Sequence, residues 1–120
     1  DYNCPYSSGS FLNDGMIICP CSMGTLGRIA NGISSNVIER AADVCIKEKR
    51  KLILVIRETP FSVIHLENML KLARQNVVIV PMVMTFYMKS HTPSIFENIN
   101  FLVGRILDQC GIENELVSRW

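Results

Sequence analysis

The sequence contains no apolar run of the ~18 residues that a membrane-spanning helix needs. It has no excess of either charge: 12 Lys and Arg stand against 11 Asp and Glu, for a net charge of +1. Bulk electrostatics therefore gives no reason to expect a nucleic-acid or membrane partner, and any anion site must be local. There is no internal repeat and no low-complexity segment. Of the two histidines, His65 and His91, neither has another His or a carboxylate at ligand spacing, so no metal centre is expected. The five cysteines, at 4, 19, 21, 45 and 110, are odd in number and fit neither a zinc pattern nor a disulfide framework. Reduced, mostly buried thiols in a soluble, cytoplasmic protein are the expectation.

What the chain has is apolar substance. Of its 120 residues 48% are hydrophobic, enough for one domain with a core. Residues 1–14 read as a turn-rich lead-in. Gly15 to Pro20 is short, continuous and apolar, as expected of a strand covered on both faces. Pro20 should end it, with Ser22 to Thr25 as a loop of small polar residues and a short helix from Leu26 to Asn31. Asn36-x-x-Glu39 resembles a capping box, and Val37 to Arg50 follows without Gly or Pro, predicting a helix with Ile38, Ala41, Ala42 and Cys45 inward. Leu52 to Ile56 predicts a second buried strand, closed by Arg57-Glu58-Thr59-Pro60. Ser62 can cap a third helix whose Val63, Leu66, Met69, Leu70 and Leu72 form an apolar face. Val77 to Val80 predicts the third strand. After a loop from Met82 to Pro93, Ser94 to Cys110 predicts a last helix with Ile95, Ile99, Leu102, Val103 and Ile106 inward and Gly111 as its C-cap. Strands alternating with helices predict a parallel α/β sheet built of βαβ units.

In such a sheet the loops after successive strands emerge at one edge. Ser22 to Thr25, Arg57-Glu58 and Met82 to Tyr87 should then lie near one another. A strand-end arginine beside a glutamate, flanked by a hydroxyl-rich turn and a tyrosine, suits a phosphorylated ligand and a proton transfer. A weak surface pair between Arg57 and Glu58 is the competing reading. Arg40, Asp43 and Lys47 fall on the polar side of their helix, with Arg40 and Lys47 ~10 Å apart along its axis.

The segments GMIICPCSMGTLGRIANG (15–32), IERAADVCIKEKRKLILVIRETP (38–60), IHLENMLKLA (64–73), TFY (85–87) and VGRILD (103–108) closely resemble the flavin prenyltransferases of the UbiX family. The resemblance implies a flavodoxin-like or Rossmann-like parallel sheet with helices on both faces. It also implies that residues 1–120 are the C-terminal two thirds of a single flavoprotein domain, N-terminally incomplete, in a large homo-oligomer. The implied activity is metal-independent transfer of a dimethylallyl group from dimethylallyl phosphate to reduced FMN, the product serving UbiD-type decarboxylases. By position, Ser22, Met23, Gly24, Thr25 and Arg57 match FMN-binding residues, Gly24 standing where many members have lysine. Tyr87 and Arg105 match a pair holding the donor phosphate. Arg40 and Lys47 match basic residues that a neighbouring subunit brings to it, Glu58 an acid–base glutamate and Trp120 a residue near the prenyl group. Two alternatives stand beside this reading. One is a flavin-dependent decarboxylase of the peptidyl-cysteine or phosphopantothenoylcysteine type, whose PASANT-like stretch is absent here; the other is an inactive flavoprotein fragment with a role in assembly.

Overall fold

Five consecutive apolar residues, Leu52 to Ile56, run through the middle of the sheet, and all five are buried. Neighbouring strand residues point to opposite faces, so a run buried at every position is covered on both sides. The computed structural model describes residues 15–86 and 91–117. Its elements run β1 (Gly15–Cys21), α1 (Met23–Ala30), α2 (Val37–Lys47), β2 (Lys51–Ile56), α3 (Val63–Ala73), β3 (Val78–Pro81) and α4 (Ile95–Gln109). The strands lie in the order β1-β2-β3 and are parallel, which is the expected α/β architecture. The chain divides into two compact units, Asp1–Val80 and Pro81–Trp120. No helix among the described residues is long and apolar enough to cross a membrane.

In the first unit β1 and β2 pair from Gly15↔Lys51 to Ile18↔Leu54, then slip by one residue before Cys21↔Ile56. Pro20 sits in the slip. Lacking an N–H for the ladder, it is accommodated by the extra residue, and pairing resumes beyond it. The strand therefore does not end at Pro20 as expected, and it is only half covered: Ile18 is buried while Ile17 is 45% exposed.

The helices of this unit begin at side-chain caps and end where the backbone turns over. Ser22 Oγ accepts from the Thr25 amide at 3.1 Å, which starts α1 at Met23 rather than Leu26. Asn36 caps α2 through the Glu39 amide at 2.8 Å, but the Glu39 carboxylate turns to Ser35, so the expected reciprocal box does not form. Lys49 adopts a φ of 57° and the Arg50 amide returns to the Cys45 carbonyl at 2.9 Å. That left-handed step ends α2 at Lys47, three residues before the expected Arg50. Ser62 caps α3, and His65 completes the box by accepting from the Ser62 amide at 3.1 Å.

The core joins Ile18, Leu26, Ile29, Ala42, Cys45, Leu52, Leu54, Ile56, Leu72 and Val77. On α3 only Leu72 is buried, with Met69 packed against the core, while Val63, Leu66 and Leu70 are exposed. Ile38 on α2 is exposed as well. Periodicity identified these helices, but an apolar stripe does not specify which of its members the single chain covers.

In the second unit Ser94 and Glu97 form a capping box that starts α4. Asn98, buried, accepts from both the amide and the hydroxyl of Thr85 at 2.7 Å, tying the segment after β3 to the helix. Gly111, at a φ of 75°, lies past the end of α4 as expected. Gly104 permits a close approach: a Cβ there would collide with Val117 Cγ2. Of the expected inward face only Ile106 is buried, and Ile95, Ile99 and Val103 are exposed.

Candidate functional site at the carboxyl edge of the sheet

The pairing of Cys21 with Ile56 fixes the geometry of the edge. The next residues, Ser22 and Arg57, leave neighbouring parallel strands side by side, and strands in a sheet are ~4.8 Å apart. Two of the three strand-end segments that the sequence sends to one edge are thus brought together.

Ser22 to Thr25 are not a loop. They are the cap and first turn of α1, because Ser22 Oγ accepts from the Thr25 amide and donates to the Thr25 hydroxyl at 3.1 Å. The amides of Met23 and Gly24 have no intrahelical acceptor and present N–H groups at the helix end. This set of amides, two hydroxyls and a residue without a side chain fits an oxygen-rich, anionic ligand. Arg57 and Glu58 are exposed beside it. Among the described residues they do not pair with each other or with another charge, so the weak-surface-pair reading does not hold.

Cys21, directly before the cap, is a buried thiol. Burial and the nearby Glu39 carboxylate push its pKa up to about 11, so it stays protonated at neutral pH and packs as an apolar group.

Arg40 and Lys47 lie on α2. Arg40 Nη1 is 3.4 Å from Asp43 Oδ2, and its Nε is buried with no hydrogen-bond partner among the described residues. Lys47 is exposed. Arg105, on α4 of the second unit, pairs with Asp108 at 2.8 Å. Tyr87 and Trp120 lie outside the described residues.

Two residues at this edge escaped the sequence reading. Glu39, taken only for a cap, is fully buried. Its Oε1 accepts from the Ser35 amide and hydroxyl at 2.9 and 2.6 Å, and its Oε2 from Arg28 Nε at 2.8 Å. Burial opposes the charge, but the Ser35 bonds and the Arg28 guanidinium outweigh it and hold the carboxyl at about 2. Arg28 lies one turn beyond Gly24, and no local signal in the sequence pairs it with Glu39.

The model of the family described as Flavoprotein matches residues 2–110. Over 120 residues the chain is 56% identical to the flavin prenyltransferase UbiX of Halalkalibacterium halodurans, covering 100% of this chain and 57% of that protein. Among solved structures, a dodecameric FMN-dependent UbiX-like decarboxylase from Escherichia coli O157:H7 is similar with a TM-score of 0.92 and 48% identity, over 100% of this chain and 64% of that one. A UbiX protein solved with FMN and dimethylallyl pyrophosphate is similar with a TM-score of 0.92 and 49% identity, over 100% of this chain and 63% of that one. The chain thus spans less than two thirds of the length of these relatives.

Proposed function

The chain belongs to the Flavoprotein family, and on that premise we propose that it works as part of a flavin prenyltransferase, moving a dimethylallyl group from dimethylallyl phosphate to reduced FMN. The observation that carries this reading is the register at Cys21↔Ile56, which sets the capped turn Ser22–Thr25 beside Arg57 and Glu58.

In this reading the first-turn amides of α1, the Ser22 and Thr25 hydroxyls and the Arg57 guanidinium hold the flavin. When bound, the reduced flavin supplies the electron-rich ring that accepts the prenyl group. Rupture of the allylic C–O bond gathers negative charge on the leaving phosphate, and fixed guanidinium, ammonium and phenol donors stabilise that charge more as it grows. Arg40, Lys47, Tyr87 and Arg105 take this role. Arg40 and Lys47 act from a neighbouring subunit of a homo-oligomer, in keeping with the dodecamer named for the Escherichia coli relative. Glu58, exposed and unpaired, removes the proton that ring closure releases. Trp120 flanks the prenyl chain. The product serves a UbiD-type decarboxylase. The four described cysteines are all unbridged, which suits a reducing compartment such as the cytoplasm.

The test is anaerobic incubation of the protein with reduced FMN and dimethylallyl phosphate, followed by mass spectrometry of the flavin. A flavin heavier by one prenyl unit is expected. Unchanged FMN, or release of carbon dioxide from a cysteine-bearing acid instead, would overturn the reading.

A further inference from the structure

Gly24 has no side chain, and the space a side chain would enter holds a cation: a Cβ built there would lie 3.4 Å from Arg28 Nη1 and 3.7 Å from Nη2. Helical side chains lean toward the N-terminus and cover the turn before their own. Arg28, in the last turn of the eight-residue α1, therefore reaches back over the first.

That placement runs against local electrostatics. The N-terminal end of a helix already carries partial positive charge, and a guanidinium is favoured at the other end. The first turn of α1 contains no acidic residue to offset it. What holds Arg28 there is Glu39, buried and anchored through Ser35, which takes only the Nε. Both Nη groups remain without a hydrogen-bond partner among the described residues, and the side chain is 42% exposed. A guanidinium clamped at its inner nitrogen, with its outer fork open beside unpaired first-turn amides, is arranged to receive an anionic oxygen pair.

We propose that Arg28 is a further ligand-binding residue of this edge, contacting an oxygen group of the flavin, and that Glu39 is its positioning residue. The inference rests on the flavin reading above. Two parts of FMN offer such oxygens, the terminal phosphate and the oxygen-bearing edge of the ring, and riboflavin, which lacks the phosphate, separates them.

The test compares the unmodified protein with E39Q and with the double variant R28M/E39Q, none of which carries a buried unpaired carboxylate. FMN and riboflavin are titrated by flavin fluorescence, with thermal melting to confirm folding. Loss of the charged contact should weaken FMN in the double variant by about 10-fold or more relative to the unmodified protein, and by less at high salt, with E39Q, which keeps Arg28 but loses its clamp, falling between the two. If riboflavin binding is unaffected the contact is to the phosphate; if it falls equally the contact is to the ring. Equal FMN affinity in the unmodified protein and the folded double variant would overturn the inference while leaving the flavin reading intact. An unmodified protein that binds no FMN would overturn both. On the unmodified protein, the Arg28 side-chain nitrogen resonances should shift on adding FMN, and unmoved resonances at saturation would also overturn the inference.

Discussion

Cys21 and Ile56 are register partners across β1 and β2, and each is the last residue of its strand. Everything proposed at the sheet edge depends on that pair, because the helix cap at Ser22 and the guanidinium at Arg57 follow one residue later. The one-residue slip around Pro20 makes the two strands end level.

Arg57→Ala should weaken FMN binding while leaving the fold intact. The side chain is exposed and contributes nothing to the core. A hydrogen bond to a charged group is worth about 1.5–3 kcal/mol, so the dissociation constant should rise about 10- to 100-fold. Flavin fluorescence titration measures this, with circular dichroism as the control for folding.

Glu58→Gln should separate binding from chemistry. Glutamine keeps the shape and loses the capacity to take a proton, so FMN affinity should stay within about twofold while prenyl transfer falls by roughly 100-fold or more. Single-turnover assays with reduced FMN check the rate, and equal loss of binding and rate would assign Glu58 a binding role instead.

Lys49→Gly should stabilise the protein. Lys49 holds a left-handed φ of 57° at the end of α2, a conformation that costs a residue with a Cβ about 1 kcal/mol and glycine almost nothing. The side chain is exposed. The urea midpoint should rise, by an amount equivalent to roughly 1 kcal/mol.

Acid should destabilise the protein through Glu39. Its folded pKa of about 2 lies below the ordinary 4.5, so between those values the unfolded chain binds more protons than the native state. Stability from this group is complete above about 4.5 and is lost as pH falls toward about 2. Urea midpoints measured across that window should fall with pH, and E39Q should show a shallower slope.

Among the described residues local signals in the sequence located each strand and helix, because Asn36, Ser62 and Ser94 stand at true helix starts and Gly111 is a true helix stop, whereas Ser22, read as part of a loop, is the cap of α1. Boundaries failed where a residue behaved against type: Pro20 was absorbed by a slip in register, and Lys49 took a glycine's conformation. The apolar faces of α3 and α4 failed for another reason, since periodicity records that a stripe exists and not what lies against it. At the site, Ser22 and Arg57 were legible because parallel strands place their ends together. Arg28 was not, because its role arises from a buried glutamate eleven residues away, and sequence spacing alone does not show a bond across the turn between two helices.

The most direct test is a crystal structure of the protein with FMN bound. The flavin should lie against Ser22 to Thr25 and within hydrogen-bond reach of Arg57, at the carboxyl ends of β1 and β2. A flavin bound on another surface, with that edge facing solvent, would contradict the assignment.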